Sequence, residues 1–271
     1  METMTIPIAC VQISCTPFGR TANLEKADEA IGKATAQGAR LILLPEFLPT
    51  GSTWDWRLLD LAEPLGGPTS RWIQHQSRKT GCWIGAGILE RAAEAVFDTF
   101  LLVGPTGEIH SYRKHYPAFF EMLLFHRGST VGIFDTALGR IGLLVCWDMV
   151  HARLWKAMAG KIDLLLICSA WPAAKTGNLP IPGFQGWLDR QPVHMPKYLA
   201  KTLDVPVAYC NMTGPFISPI PYLGFTYRAQ FPGSSSITES DGTTIAAAGS
   251  EEIILLGEVR PRVETVPRKA A

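Results

Sequence analysis

The stretch GRIGLLVCWDM at residues 139–149 decides the fold that this sequence predicts. Ile141 to Val145 is a short, apolar run rich in branched side chains, which predicts a strand buried on both faces of its sheet. The run ends at Cys146, which Trp147 and Asp148 follow. A thiol at such a strand end lies at the rim of the sheet, where the N–H groups of a following helix can stabilise a thiolate or an oxyanion. For this stretch alone, a small buried hydrophobic residue is the better interpretation of Cys146.

The composition indicates a globular protein with a large core. Of the 271 residues, 47% are hydrophobic and only 18% are charged, which excludes a disordered chain. The net charge is +1 and no basic run exceeds two residues, so neither nucleic acid nor an anionic membrane is an expected partner. No apolar run approaches the ~20 residues that span a bilayer. We expect one domain over residues 1–271, without a linker or internal repeat, and a tail at residues 261–271 on the surface or against a partner subunit.

The cysteines and the first residues indicate a location. Six cysteines are spread along the chain without a C-x-x-C pair, which predicts reduced thiols and neither a disulfide framework nor a zinc site. The chain starts with an acid at Glu2 and lacks a basic region before its first apolar run, so a signal peptide is not expected. We therefore expect a cytoplasmic protein.

Two more predicted strands end in a reactive side chain. Glu46 follows the apolar run Leu41 to Leu44, and sites in open α/β sheets collect at the carboxyl ends of strands. Lys114 follows a predicted strand at residues 108–112, and an aromatic loop with a single acid, Glu121, comes after it. Taken singly, Glu46 is better interpreted as a solvated loop acid and Lys114 as a surface charge.

Together, Glu46, Lys114 and Cys146 provide the groups that nucleophilic catalysis by a thiol requires. A thiol needs a base to become a nucleophile, and Glu46 in a partly desolvated pocket can take its proton. A tetrahedral intermediate needs positive charge at its oxygen, which Lys114 and the N–H of Trp147 can supply. Glu121 can fix Lys114 or relay a proton to the leaving amine and the incoming water.

Five ordered motifs resemble the carbon–nitrogen hydrolase family, the nitrilase superfamily. They are GARLILLPE (38–46), YRKHYP (112–117), GRIGLLVCWD (139–148), CSAWP (168–172) and PGSSSITESDG (232–242). The resemblance implies an α/β fold of the four-layer αββα sandwich type, usually paired into a homodimer or a larger homo-oligomer. It also implies a Glu46–Lys114–Cys146 triad with Glu121 as the second glutamate, a thioester intermediate on the cysteine, and no metal or cofactor.

The residues that we assign to a substrate pocket are mostly aromatic. They are Trp54, Phe119, Trp147, Trp171 and His151. In relatives that cleave amides of dicarboxylic acids, the resemblance implies that an arginine shortly after the nucleophile grips the free carboxylate. Here that position is Val150, and Arg153 comes one turn later and further from Cys146. A carboxylate unpaired among aromatic rings would be costly to bury, so we expect a neutral, partly apolar or aromatic acyl group.

Several alternatives stay open at this point. Asp148 favours an amidase, since true nitrilases tend to have Cys-Trp-Glu, but a nitrilase and an N-carbamoyl amine amidohydrolase of the same fold remain. A serine hydrolase is disfavoured because no G-x-S-x-G motif is present. A catalytically silent binding or scaffold protein of this fold is the alternative from another functional class. The identity of the acyl group and of the amine is left open.

Two local expectations complete the prediction. We expect a helix from about Val150 to Met158 after the nucleophile, and an irregular segment from Pro215 to Pro232 because it contains four prolines.

Overall fold

Two six-stranded sheets form the centre of the structure, a computed structural model that describes residues 5–179 and 183–262. The first sheet contains β1 (Ile6–Gln12), β2 (Leu41–Leu43), β3 (Trp83–Ala92), β4 (Ala95–Val103), β5 (Ile109–Arg113) and β14 (Ile253–Val259), in the order β14-β1-β2-β3-β4-β5. The second sheet contains β6 (Ile133–Thr136), β7 (Gly139–Val145), β8 (Leu164–Ser169), β9 (Val207–Asn211), β12 (Ser236–Thr238) and β13 (Thr244–Ala247), in the order β13-β12-β9-β8-β7-β6. A separate hairpin pairs β10 (Thr213–Pro219) with β11 (Thr226–Pro232).

Helices cover the outer face of each sheet. The helices are α1 (Arg20–Ala36), α2 (Pro68–Thr80), α3 (Ala152–Met158) and α4 (Gln185–Leu203). The first two pack on the first sheet, α4 packs on the second sheet with α3 beside it, and the sheets pack on each other through β3 against β8 and β4 against β7. The predicted four-layer αββα sandwich is therefore confirmed. Within the described residues, no helix has both the length and the apolar character that crossing a membrane requires.

The burial of β7 follows from this layering. Ile141, Leu143, Leu144 and Val145 are fully buried, because one face of the strand meets the other sheet and the opposite face meets the helix layer. In α1, the buried residues Ala27, Ile31 and Ala34 recur at helical spacing. A continuous apolar run thus accounts for the buried strand, and apolar residues at helical spacing account for the buried face of the helix.

The strand directions bring the carboxyl ends of several strands to one place. β1, β2 and β3 are parallel, and β5 runs the same way because β4 is antiparallel to both of its neighbours. In the second sheet, β7, β8 and β9 are parallel. Glu46, Lys114 and Cys146 each come shortly after one of these strands, so all three lie at carboxyl ends.

The predicted irregular segment from Pro215 to Pro232 is wrong, since most of it is the hairpin β10–β11. Proline cannot donate a hydrogen bond to a sheet, but it is tolerated on edge strands, and both strands of a two-stranded hairpin are edges. Alternate residues of both strands are buried, as expected for a hairpin with one covered face.

The helix predicted from Val150 begins two residues later, at Ala152. A short 3-10 segment, Cys146–Val150, comes first. Of the predicted tail at residues 261–271, only 261 and 262 are among the described residues; the rest of that prediction lies outside them.

Candidate active site

Glu46 is placed by a close approach of its loop to β3. The side chain is fully buried, and its Oε2 accepts a hydrogen bond from the Ala170 N–H at 2.5 Å. The N–H of Gly87 donates to the Pro45 carbonyl at 3.1 Å. A Cβ at Gly87 would lie 2.5 Å from the Glu46 Cα, so only glycine permits this approach.

Lys114 is buried among three carboxyl groups. Its Nζ lies 2.6 Å from Glu46 Oε1, 2.7 Å from Glu121 Oε2 and 3.0 Å from Asp98 Oδ2. Its backbone is fixed as well, because its N–H donates to the Asp98 carbonyl at 2.8 Å. Burial by itself lowers the pKa of Lys114, but the charges of Glu121 and Glu46 raise that pKa well above its usual value. The ammonium group therefore stays charged.

Glu121 lies on the 3-10 segment Phe119–Leu123 and reaches back to the start of that segment. Its Oε2 accepts from the Ala118 N–H at 2.7 Å, in addition to the bond from Lys114. Burial raises the pKa of Glu121, and the charge of Lys114 opposes that rise. The Lys114 ammonium and the N–H at the start of the segment thus fix the same oxygen of Glu121.

Cys146 directly follows β7 in a strained backbone conformation. Its φ is +46°, in the left-handed region that non-glycine residues rarely adopt and that concentrates at functional sites. Burial and the charge of Glu46 raise the pKa of Cys146 well above its usual value, while Lys114 and a hydrogen bond with Ser169 lower it. The residues that follow form a short 3-10 segment, Cys146–Val150, and not the first turn of a longer helix. Burial of the sulfur favours the thiol over the thiolate.

Asp148 ties the turn that carries Cys146 to the loop after β5. Its Oδ2 accepts from the Tyr112 hydroxyl at 2.8 Å and from the Val145 N–H at 3.4 Å, and its Oδ1 accepts from the Tyr116 N–H at 3.0 Å. Burial raises the pKa of Asp148 to about 7, against the lowering effects of Lys114 and these hydrogen bonds.

A cavity opens above these groups. It is lined mainly by apolar and aromatic side chains, which are Ser52, Trp54, Ala118, Phe119, Phe120, Glu121, Cys146, Trp147, Ala170, Trp171, Pro172, Ala174, Leu179, Leu188, Phe216, Ile220 and Tyr227. Within the described part of the chain, Glu121 is the one charged residue of this lining. Such an apolar concavity with a few polar groups at its base is typical of a small-molecule site.

The structure brings most of the predicted site residues together. Trp54, Phe119, Trp147 and Trp171 all line the cavity. His151 does not: its ring stacks on Tyr116 at a centroid distance of 3.7 Å and meets Trp147 edge-on at 6.1 Å. His151 therefore packs against Trp147 without lining the cavity itself.

Several polar and aromatic residues at this site were not predicted from the sequence. Asp98 lies within the apolar strand β4, and a single acid in such a strand is a signal that could have found it. Ser169 ends β8, as reactive residues end other strands here, and accepts a hydrogen bond from the Tyr209 hydroxyl at 3.3 Å. Phe216 and Tyr227 come from the hairpin that was predicted to be irregular.

Three carboxyl groups of this cluster have the spacing of metal ligands. One oxygen each from Glu46, Asp98 and Glu121 lies within 4.8 Å of the others. The Lys114 ammonium contacts all three, so this cluster already contains its cation.

The chain is similar in sequence to curated nitrilases and omega-amidases. The nitrilase of Pyrococcus abyssi is 30% identical over 160 residues, 58% of this chain and 61% of that protein. The chain spans only 50% of the length of a bifunctional nitrilase/nitrile hydratase, NIT4, of Oryza sativa. Omega-amidase NIT2 of Mus musculus is 25% identical over 288 residues, which cover 98% of this chain and 96% of that protein.

Solved structures share the fold. A carbon–nitrogen hydrolase from Helicobacter pylori G27 superposes with a TM-score of 0.83 at 21% identity, covering 96% of this chain and 90% of that one. An amidase from Nesterenkonia AN1 gives a TM-score of 0.78 at 21% identity, covering 94% and 90%. The model of the carbon–nitrogen hydrolase family matches residues 7–268. With nearly the whole length matched, this chain belongs to the carbon–nitrogen hydrolase family.

Proposed function

We propose that the protein hydrolyses the carbon–nitrogen bond of a small amide through a thioester on Cys146. The observation that carries the proposal is the position of the Lys114 ammonium. It is held at 2.6 Å from Glu46 and 2.7 Å from Glu121, and its charge is close enough to Cys146 to lower the pKa of that thiol. A base and a fixed positive charge thus lie behind a thiol that lines the cavity.

In the first half of the reaction, the Cys146 sulfur attacks the amide carbonyl carbon. Glu46 takes the thiol proton as the carbon–sulfur bond forms. Lys114 and the N–H of Trp147 stabilise the oxyanion of the tetrahedral intermediate. The carbon–nitrogen bond then breaks, the proton held by Glu46 passes to the leaving nitrogen, and ammonia or an amine departs from the thioester.

In the second half, water replaces the amine. Glu46 removes a proton from the water as its oxygen bonds to the thioester carbon, and the same positive charges hold the second oxyanion. The carbon–sulfur bond breaks, the sulfur regains its proton, and the carboxylic acid is released. Glu121 fixes the position of Lys114 in both halves.

The proposal is tested with a panel of small amides, N-carbamoyl amines and nitriles, scored for release of ammonia. We expect turnover of primary amides with apolar or aromatic acyl groups. A preference for nitriles would replace the proposed amidase by a nitrilase, and turnover of N-carbamoyl amines alone would make it an amidohydrolase of that class.

Substrates with a neutral acyl group should be preferred over acidic ones. The described lining of the cavity contains no lysine or arginine, and its one charged residue, Glu121, is negative. A second carboxylate would be buried there without a partner, at a cost of several kcal/mol. We expect kcat/KM for a neutral amide to exceed that of its matched terminal acid by ~10-fold or more, about 1.4 kcal/mol.

Arg153→Gln is the matched control for this preference. Arg153 is exposed on α3 and is not among the residues that line the cavity, so its loss should leave the ratio unchanged. An equal or better kcat/KM for the acid, reversed by Arg153→Gln, would show that this arginine reaches the substrate.

Alkylation by iodoacetamide should separate an active enzyme from a silent scaffold of the same fold. Cys146 lines the cavity beside a base, whereas Cys10, Cys168 and Cys210 are fully buried in the core. We expect peptide mass analysis to find Cys146 modified first, and Glu46→Gln to slow that modification by removing the base. Equal labelling of all cysteines would favour the scaffold.

We also propose that residues 1–271 form a single domain, that the protein assembles as a homodimer or larger homo-oligomer, and that it works in the cytoplasm. All six cysteines are unpaired, which supports a reducing compartment. Analytical ultracentrifugation tests the assembly.

A further inference from the structure

We propose that Asp98 is a positioning residue, held as a neutral carboxylic acid beside the Glu46 carboxylate, since one oxygen of each group lies within 4.8 Å of the other. The inference rests on the proposed function, in which Glu46 is the base, and adds a group that orients this base. Asp98 lies on β4 with 1% of its surface exposed, and its Oδ2 is 3.0 Å from Lys114 Nζ.

The other two carboxyl groups of the cluster each have two close donors. Glu46 accepts from Lys114 at 2.6 Å and from the Ala170 N–H at 2.5 Å. Glu121 accepts from Lys114 at 2.7 Å and from the Ala118 N–H at 2.7 Å. Hydrogen bonds from such donors stabilise the charged form of a carboxyl group, so the geometry supports a carboxylate at both glutamates better than at Asp98.

Asp98 lacks comparable hydrogen-bond donors. Among the described residues, neither of its carboxyl oxygens has a hydrogen-bond partner, and Lys114 is an ion-pair neighbour at 3.0 Å from Oδ2. A buried carboxylate without donors is costly, and a bound proton removes that cost. Burial and the charge of Glu46 raise the pKa of Asp98 well above its usual range, against the effect of Lys114. Glu121 and the Cys168 thiol are the other titratable groups near it.

The net charge of the three carboxyl groups and Lys114 also favours a neutral Asp98. Three ionised carboxylates around one ammonium would give the buried site a net charge of −2, whereas a neutral Asp98 leaves −1. The lower negative charge favours the thiolate that develops on Cys146. One oxygen of Asp98 lies within 4.8 Å of one oxygen of Glu46, so a proton on Asp98 can face that carboxylate and hold its orientation.

Infrared difference spectroscopy tests the protonation state without requiring turnover. The spectrum of the wild-type protein minus that of Asp98→Asn at neutral pH should contain the carbonyl stretch of a protonated carboxyl group. Glu90→Gln is the matched control, since Glu90 is equally buried but accepts hydrogen bonds from Thr99 at 2.8 Å and from the Arg113 guanidinium. Its difference spectrum should contain carboxylate bands. Carboxylate bands for Asp98 would overturn the proposal, even in a protein that hydrolyses no amide.

Kinetics test the positioning role. Asp98→Asn replaces a neutral acid by a neutral isostere that can still donate, so kcat and the pH profile should be nearly unchanged. Asp98→Ala removes a donor to a charged group, which should lower kcat about ten- to a hundredfold. KM should change little, because Asp98 is not among the residues that line the cavity. An Asn variant as impaired as the Ala variant, or one that fails to fold, would overturn the proposal. Where Asp98→Ala does not fold, the infrared result and Asp98→Asn decide it.

Discussion

Turnover should be abolished in Cys146→Ala, while the fold is kept. Cys146 provides the only atom in the proposed reaction that bonds to the acyl carbon before water does, and its loss removes the thioester altogether. The left-handed φ of +46° is no harder for alanine than for cysteine, so the turn itself should survive. Intact-mass analysis during turnover should find an acyl adduct on the wild-type protein and none on the variant.

Cys82→Ala is the matched control. Cys82 is also buried, and its thiol donates to the Ala39 carbonyl at 3.1 Å, outside the candidate site. Turnover should persist in Cys82→Ala. Normal turnover in Cys146→Ala would remove the whole proposed mechanism, and loss of activity in both variants would indicate a folding effect.

Lys114→Met should lower kcat by at least ~100-fold, the scale for removing one stabiliser of an oxyanion. Methionine keeps most of the length of the side chain but leaves Glu46 and Glu121 without their shared positive charge. Because breaking a buried ion pair is costly, the free energy of unfolding should also fall by roughly 3–5 kcal/mol. The rate is therefore measured per folded molecule, with the folded fraction taken from circular dichroism.

Glu121→Gln tests the negative charge of Glu121 separately from the positive charge of Lys114. Glutamine preserves the shape and can still accept from the Ala118 N–H, but it no longer supplies the charge that faces Lys114. We expect loss of kcat with little change in KM. Lys161→Met, at an exposed lysine after α3, is the control and should be silent. A nearly silent Lys114→Met or Glu121→Gln would assign that residue a structural role.

Much of the fold was predictable because apolar periodicity is a local property. The run Ile141 to Val145 was predicted as a buried strand and lies within β7, Gly139–Val145. The hairpin β10–β11 was missed because its prolines argue against a sheet unless one knows that both of its strands are edges. Its alternating burial depends on what packs against it, which the local sequence does not encode.

The sequence by itself indicated the family and the four-layer sandwich, because its ordered motifs resemble that family. It also placed Glu46, Lys114 and Cys146 after predicted strands, because strand patterns are local. Only the tertiary structure decided how the ionisable groups share their charges. Asp98 reads locally as one acid in a strand, and its surroundings come from residues far along the chain: Glu46, Lys114 and Glu121. Protonation of a buried carboxyl depends on the donors and charges within a few ångströms, and only the folded chain brings those together.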